Sequence, residues 1–218
     1  KSWGEEYPEL ALNEYLCMRV VQKANICVPE FYLSQDRKLF IMKRFDIKED
    51  NTYLGFEDMC VLFGKNRDDK YEGTYEQIAK TIKTFVSPKY KKESLENFFK
   101  MIVINFLLKN GDAHLKNFGL IYDDISNIKL APAYDVVTTT VYIKNDIPAL
   151  HLLGSKKWWK EKQLLRFGIE FCDLTTKEVK ELYEICLKAK DEIIEEAKIY
   201  KKDDQVSEFI DNLIKKWL

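Results

Sequence analysis

Apolar residues recur at helical spacing over most of this chain, and at strand spacing in only a few short segments. The helical pattern covers six segments, residues 8–25, 55–64, 74–86, 94–111, 175–197 and 204–217. The strand pattern covers four segments, residues 30–34, 38–45, 117–122 and 127–131. The first two predict a hairpin that turns at 35–37, and the last two predict a small hairpin around Asp123 and Asp124. This distribution predicts an α+β protein that is mainly α, with its strands mostly early in the chain.

The segment 94–111 is the most informative of these helices. Ser94 is suited to cap its start, and Gly111 is suited to end it in a left-handed turn. Nearly every position between 98 and 108 is apolar, which is typical of a central helix that is buried on most sides. Asp112 would then be the first residue beyond a rigid core helix, where a side chain can be held in a fixed position.

Three oxygen-bearing side chains lie at and beyond that point. Asp112 and Asn117 are separated by the interval of a protein-kinase catalytic loop, in which the aspartate orients the attacking hydroxyl and the asparagine binds Mg²⁺. Asp135 follows the predicted hairpin, where kinases carry a second metal-binding aspartate. Mg²⁺ prefers hard oxygen ligands together with phosphate oxygens. The spacing therefore predicts phosphoryl transfer, with Asp112 as the base and Asn117 and Asp135 as metal ligands.

Two other interpretations of the same segment stay open. Asn110, Gly111 and Asp112 could form an ordinary turn in which the aspartate caps backbone amides. Alternatively, Asp112 and His114 could be the first ligands of a phosphoesterase metal site, which needs several more histidines and aspartates. His151 is the only other histidine, and its apolar neighbours predict a packed side chain rather than a ligand.

The composition indicates a globular protein with a hydrophobic core. The 218 residues are 46% hydrophobic, which is enough for one domain of generous size, or one domain and part of another. The net charge of -1 gives no general attraction to nucleic acid or membrane, and the longest apolar run is too short to span a bilayer. Five scattered cysteines without metal-ligand spacing fit a reduced, cytoplasmic protein.

Two polar segments lie outside the predicted elements. The loop 64–74 is rich in glycine and aspartate, and we expect a solvated connection, with a substrate or activation element as the alternative. The stretch 156–162 combines lysines with Trp158 and Trp159, a combination that could stack nucleic-acid bases or contact a partner. The balanced net charge favours a surface turn with a tryptophan packed into the core.

Several stretches resemble one family, in the same order along the chain. GDAHLKNFGL at 111–120 and LAPAYDVVTT at 130–139 resemble the catalytic and metal-binding segments of the HipA-like serine/threonine kinases of bacterial toxin–antitoxin systems. Further similar stretches are LALNEYLCMRV, MKRFDI, FEDMCVLFG and KYEGTYEQI. The resemblance covers about residues 1–170 and implies a protein-kinase-like catalytic lobe. Residues 1–50 would be the C-terminal part of the small lobe and the hinge, and residues 51–218 the helical lobe. The family's upstream N-terminal region would be absent.

The resemblance also implies roles for individual residues. By position, the resemblance also makes Asp112 the catalytic base, and Asn117 and Asp135 the two Mg²⁺ ligands. His114 and Lys116 would face the nucleotide phosphates or ribose, and Tyr134 would flank the metal-binding aspartate.

Two further stretches would contact the nucleotide if the resemblance holds. The stretch MKRFD resembles the hinge that binds adenine, with backbone groups of Lys43 and Phe45 bonding the base and Asp46 near the ribose. Lys1 stands where the family's phosphate-binding lysine would fall, and Glu14 on the following helix would be its partner.

The activity implied by the resemblance is transfer of the γ-phosphoryl group of ATP, with Mg²⁺, to a serine or threonine of a cellular protein such as an aminoacyl-tRNA synthetase. It also implies an antitoxin partner with a DNA-binding domain, whereas we expect no direct contact of this chain with nucleic acid or membrane. The alternative is a catalytically inactive kinase-like module that binds a nucleotide or a partner, since the sequence has no glycine-rich loop.

Overall fold

The computed structural model describes residues 6–218, and that part of the chain is mainly helical, as the sequence predicts. Its helices are α1 (Leu10–Lys23), α2 (Met59–Leu62), α3 (Tyr75–Phe85), α4 (Pro88–Leu107), α5 (Glu161–Phe171), α6 (Thr176–Ala197) and α7 (Asp204–Trp217). Its strands are β1 (Phe31–Leu33), β2 (Phe40–Met42), β3 (Gly55–Asp58), β4 (Gly119–Tyr122) and β5 (Lys129–Leu130).

Helix α4 forms the centre of the core, as its apolar sequence predicts. Phe98, Phe99 and Ile102 are fully buried, and the helix packs against α1, α3, α5 and α6. One hydrophobic cluster continues from Ala11 in α1 to Trp217 in α7. The polar loop that follows α4 is therefore attached to a closely packed part of the molecule.

The strands form two small antiparallel sheets. β1 pairs with β2 and packs against α1. The second sheet has the order β3–β4–β5, with Asp58 opposite Gly119 and Leu120 opposite Leu130. Both predicted hairpins are therefore present, and the second sheet fixes the end of the 112–117 loop, because β4 follows that loop directly.

The segment 55–64 is not the helix that its spacing predicts. Its first part is β3, which pairs with β4, and only α2 is helical. Asp58 stands at the change, where its side chain accepts a hydrogen bond from Val61 N (3.0 Å) and caps α2. Pairing with a strand that is distant in sequence leaves no signal in local spacing, and the prediction fails for that reason.

The predicted ends of the central helix are also wrong. α4 begins at Pro88, which suits the first turn of a helix because it has no N–H to leave unpaired. Ser94 lies inside the helix, and its buried hydroxyl accepts a hydrogen bond from the backbone of β5 (3.2 Å). At the other end Lys109, and not Gly111, has the left-handed backbone conformation (φ 56°). A short connection therefore separates Asp112 from the helix itself.

The polar loop 64–74 has more structure than the sequence predicts, whereas the stretch 156–162 largely agrees with its prediction. Within the loop 64–74, Arg67–Tyr71 form a short 3₁₀ helix. Trp158 and Trp159 pack against the core, and their indole N–H groups donate to backbone carbonyls at 2.9 and 2.8 Å. Both tryptophans are therefore packed, as expected for a surface turn. Helix α5, which follows them, is missing from the predicted elements.

The described residues also bear on two expectations from composition. None of their helices combines the length and apolar character that a membrane crossing requires. All five cysteines are free thiols.

Lys100 links α4 to the end of α1. Its buried ammonium donates to the carbonyls of Ala24 (3.0 Å) and Asn25 (2.7 Å). Replacing Lys100 by methionine keeps the apolar stem but removes both hydrogen bonds, so we expect the free energy of unfolding to fall by about 1.5–3 kcal/mol. Urea denaturation followed by circular dichroism measures the change.

The control for this variant is Lys92→Met on the same helix. The Lys92 side chain is 72% exposed and pairs with Glu178 at 2.7 Å. Because exposed ion pairs contribute little to stability, its replacement should leave the free energy of unfolding close to the wild-type value. Equal losses in the two variants would contradict the structural role given to Lys100.

Candidate active site

The loop between α4 and β4 contains two of the three predicted catalytic residues, Asp112 and Asn117. It folds back on itself, because Asp112 N donates to Asn110 Oδ1 (3.1 Å) and His114 N donates to Asp112 O (2.8 Å). A 3₁₀ turn, Leu115–Asn117, then leads into β4. The Asp112 side chain is 46% exposed, so a second molecule can reach its carboxylate.

Asn117 and Asp135 are in contact, as the sequence predicts. Asn117 Nδ2 donates to Asp135 Oδ2 (2.9 Å), and Asn117 Oδ1 accepts from His114 N (2.9 Å). The β4–β5 hairpin lies between the two residues in sequence and returns the chain to the loop. Asp135 has a left-handed backbone (φ 60°), which is uncommon for a residue other than glycine and is concentrated at functional sites.

Asp112 and Asp135 line the same cavity, which has a volume of about 570 Å³. Glu14 of α1 and Asp146 bring the number of lining carboxylates to four, and Lys156 also borders the cavity. Apolar residues complete the wall, among them Leu10, Val137, Ile143, Ile147, Pro148 and Ala149. The size is that of a small-molecule site, and the carboxylates suit a ligand that binds through a cation.

The donor set at Asn117 and Asp135 fits Mg²⁺. Both side chains offer oxygen ligands, and Asn117 Oδ1 has a second lone pair beyond the one that His114 N uses. Within residues 6–218, no three histidine, cysteine, aspartate or glutamate side chains form a closed metal cage. Two protein oxygens that leave the other positions to phosphate and water are the arrangement that Mg²⁺ accepts in phosphoryl-transfer sites.

The segment after Asp135 is anchored by α1 and α7. Asn13 of α1 donates to Thr138 O (3.0 Å) and accepts from Thr138 N (2.9 Å), so one side-chain amide binds both backbone groups of one residue. From α7, Trp217 Nε1 donates to Thr138 Oγ1 (2.7 Å). All three residues are buried, and core packing therefore determines where this segment lies.

Gly111 is required for a close approach and not for its backbone angle. Its N–H donates to Thr139 Oγ1 (2.7 Å), and the same hydroxyl donates to Asp146 Oδ2. A Cβ at position 111 would lie 1.9 Å from Asp146 Oδ2. This contact joins the residue before Asp112 to the segment that follows Asp135, and so couples the two halves of the candidate site.

His114 is buried beside Asp112, with 4.0 Å between His114 Nε2 and Asp112 Oδ1. Burial lowers the pKa of His114, and the Asp112 carboxylate opposes this effect only in part. His114 is therefore neutral near pH 7. Its Nδ1 is buried and has no hydrogen-bond partner among residues 6–218, which is compatible with a ligand contact. The predicted contact with nucleotide stays a prediction.

Lys116 contacts Tyr134, which lies in the segment that carries the predicted metal ligand Asp135. Tyr134 Oη donates to Lys116 O (2.5 Å), and Lys116 Nζ donates to Asp58 Oδ2 (2.5 Å). The rings of Tyr134 and Phe45 lie 5.5 Å apart between centroids, which brings the predicted hinge to this segment. Because its ammonium is paired with Asp58, the phosphate contact of Lys116 also stays a prediction.

Like His114 and Lys116, the predicted nucleotide-binding residues Lys43 and Asp46 are not among the residues that line the cavity. Lys43 N donates to Glu30 O (2.8 Å), and the Lys43 side chain is 65% exposed. Asp46 is paired with Arg44 at 2.5 Å. Lys1 lies outside the described residues. The roles of these three residues in nucleotide binding therefore stay predictions.

The sequence did not reveal the main contact of Asp112. Tyr71 Oη donates to Asp112 Oδ1 (2.5 Å), although Tyr71 belongs to the loop that we expected to be a solvated connection. The only sequence signal for Tyr71 is the stretch KYEGTYEQI, which contains it and resembles the family. That resemblance assigns no chemical role to the tyrosine. The expectation of a packed His151 side chain is wrong as well, because this side chain is exposed. Among residues 6–218, the hydrogen bonds of His151 are those of its backbone.

The site has two parts that are typical of a kinase. One is an aspartate loop of the catalytic type, and the other is an Asn–Asp pair joined by a hairpin. Because both are attached to a mainly helical core, they define a kinase-like protein. The sequence model of the HipA-like C-terminal domain family matches residues 1–199. The chain belongs to this family.

Two curated relatives are named as candidate kinases. The one from Haemophilus influenzae is 34% identical over 170 residues, which cover 70% of this chain and 49% of the relative. The one from Sinorhizobium fredii is 30% identical over 170 residues, which cover 71% of this chain and 40% of the relative. The chain thus spans about half the length of these relatives, or less.

Two solved structures share the fold. HipA of Shewanella oneidensis MR-1, solved in a complex with HipB and operator DNA, matches with a TM-score of 0.75 at 17% identity, over 97% of this chain and 56% of that chain. The Helicobacter pylori proinflammatory kinase CtkA matches with a TM-score of 0.54 at 15% identity, over 98% of this chain and 84% of that chain. These likenesses concern the fold and confirm the predicted kinase-like α+β architecture.

Proposed function

We propose that this chain carries the catalytic site of a Mg²⁺- and ATP-dependent serine/threonine protein kinase. The observation that carries the proposal is the cavity lined by both Asp112 and Asp135, with Asn117 hydrogen-bonded to Asp135. A base for the acceptor hydroxyl and one ligand for a phosphate-bound metal would then border one space, and the second ligand would lie within hydrogen-bond distance of the first. Family membership and fold support phosphoryl transfer in general.

In this proposal, Asp112 orients the acceptor hydroxyl and accepts its proton during transfer. Its exposed carboxylate at the cavity supports this role. Asn117 and Asp135 would hold Mg²⁺, which would supply positive charge to offset that of the phosphates. Because the protein contributes little covalent chemistry to phosphoryl transfer, most of the rate enhancement would come from positioning and electrostatic stabilisation.

The nucleotide would extend from the hinge to the metal ligands. Backbone groups of Lys43 and Phe45 would bond the adenine, and Asp46 would lie near the ribose. His114 and Lys116 would contact the phosphates or the ribose. The support for this part is the packing of Phe45 beside the metal-binding segment and the buried, unpartnered Nδ1 of His114 within the described residues.

The whole protein would act as the toxin of a bacterial toxin–antitoxin module. Likeness to HipA, which was solved with HipB and operator DNA, supports this role. By analogy, the partner would be an antitoxin with a DNA-binding domain, and the substrate a cellular protein such as an aminoacyl-tRNA synthetase. Since the chain spans about half of its curated relatives, these statements concern the full-length protein.

Incubation of the full-length protein with γ-labelled ATP and Mg²⁺ tests the activity. We expect label in protein, either in the kinase itself or in an added synthetase, and acid hydrolysis should release phosphoserine or phosphothreonine. Phosphotyrosine alone would contradict the proposed class of acceptor. Label in small amino alcohols or sugars, without label in protein, would identify a small-molecule phosphotransferase instead.

A second candidate is a catalytically inactive kinase-like module that binds a nucleotide or a partner protein. The observation in its favour is that the sequence has no glycine-rich phosphate-binding loop. Nucleotide binding by the full-length protein without any transfer of label, under the conditions above, would support this candidate.

A further inference from the structure

The segment 71–75 lies against the start of the catalytic loop, and we call it the clamp segment. Tyr71 Oη donates to Asp112 Oδ1 (2.5 Å), and Tyr75 Oη donates to Ala113 O (2.9 Å). One end of the clamp segment therefore holds the side chain of the proposed base, and the other end holds the backbone of the next residue.

Two further contacts complete the match between these segments. The ring of Tyr71 lies edge-on to His114, with 5.2 Å between ring centroids. Gly73 lies against Leu115, and a Cβ at position 73 would be 3.1 Å from Leu115 Cδ2. Four successive residues of the catalytic loop, 112–115, thus each contact a residue of the clamp segment.

The clamp segment is itself fixed from its other side. His151 N donates to Gly73 O (3.3 Å), and Tyr75 N donates to His151 O (3.0 Å). Lys156 Nζ donates to Tyr71 O (3.3 Å). Because the segment is bonded on both sides, Tyr71 belongs to the frame of the site and is poorly suited to be a plug that a substrate displaces.

The hydrogen bond from Tyr71 uses only one oxygen of Asp112. Burial, followed by the bond to Asp112, raises the pKa of Tyr71, so the phenol keeps its proton and remains a donor near pH 7. Among residues 6–218, the second carboxylate oxygen of Asp112, Oδ2, accepts no hydrogen bond. One oxygen is therefore held, and the other is left for an acceptor hydroxyl.

We propose that Tyr71 is a positioning residue for phosphoryl transfer, which fixes the Asp112 carboxylate through Oδ1 and leaves Oδ2 to the acceptor hydroxyl. This inference rests on the proposed function. The opposite interpretation, in which Tyr71 blocks the place of the acceptor, predicts that removal of its hydroxyl makes the enzyme faster.

Tyr71→Phe in the full-length protein tests the proposal, because it removes only the hydroxyl. We expect kcat to fall by about 10–100-fold, since small misplacements of a reacting group cost that much. KM for ATP should stay close to wild type, because the variant loses no proposed nucleotide contact. The matched control is Tyr122→Phe, which removes another tyrosine–carboxylate bond, to Glu57 Oε1 (3.1 Å), outside the cavity. It should keep the wild-type kcat.

An unchanged or higher kcat for Tyr71→Phe would overturn the proposal. Hydrogen–deuterium exchange of the peptide that contains residues 112–117 gives a second measurement, which needs no activity. We expect faster exchange in Tyr71→Phe than in wild type or Tyr122→Phe, and equal protection in all three proteins would also overturn the proposal. If the wild type transfers no phosphoryl group, the proposed function fails, while the exchange experiment still decides whether Tyr71 holds the loop.

Discussion

Replacing Asp112 by asparagine in the full-length protein is expected to lower the rate of phosphoryl transfer by about 10²–10⁴-fold, the usual contribution of a general base. An amide cannot take up the proton of the acceptor hydroxyl, but its oxygen can still accept the hydrogen bond that Tyr71 donates to Asp112 Oδ1. Asp112 stabilises its own turn through its backbone N and O, so the loop should keep its conformation. Initial rates at varied ATP concentration give kcat and KM, and calorimetry gives the affinity for Mg-ATP, which should stay close to wild type.

The control for this variant is Asp123→Asn in the turn between β4 and β5. The Asp123 side chain is 58% exposed and pairs with Lys48 at 2.6 Å, so its loss should change stability by less than about 1 kcal/mol and leave the rate unaltered. A wild-type rate for Asp112→Asn would exclude Asp112 as the base. Such a result would still not support the alternative in which Asp112 merely caps the backbone amides of a turn. The side chain that caps this turn is that of Asn110.

The sequence predicts the order in which helix, loop and hairpin build the site, because each of these elements has a signal within a short stretch of the chain. The apolar run of α4 indicates a buried helix, the interval from Asp112 to Asn117 fits within one loop, and the alternation after it indicates the β4–β5 hairpin. Together these signals predict that Asp135 returns to the loop, and the hydrogen bond between Asn117 and Asp135 confirms it. Local signals were sufficient here because the site is built almost consecutively.

The parts of the fold and site that escaped prediction depend on contacts between distant segments. Tyr71 reaches Asp112 across 41 positions, and Asn13 reaches Thr138 across 125. The packing of α1 and α3 determines these contacts, and the local spacing of apolar residues does not indicate them. Local spacing predicts a helix at β3 for the same reason, since its pairing with β4 is what makes Gly55–Asp58 extended.

The backbone of Asp135 is a further property that the sequence does not reveal, and it determines how this residue should be tested. Its left-handed conformation (φ 60°) is tolerated by aspartate and asparagine much better than by alanine. Asparagine also keeps an oxygen that can accept the hydrogen bond from Asn117 Nδ2. A loss of function in Asp135→Asn would therefore report the missing carboxylate charge and not a distorted segment.

We expect Asp135→Asn to weaken the binding of Mg-ATP by about 10–100-fold, the range typical of a perturbed metal site, and to remove most of the transfer activity. The affinity for ATP in EDTA should change little, because the carboxylate acts through the metal. Calorimetric titration of the full-length protein with and without Mg²⁺ measures both quantities. The control is Asp173→Asn, which makes the same substitution at another left-handed position (φ 55°) whose side chain is 60% exposed. If Asp135→Asn bound Mg-ATP as tightly as wild type and Asp173→Asn, Asp135 could not be the metal ligand, and the kinase assignment would lose its second catalytic carboxylate.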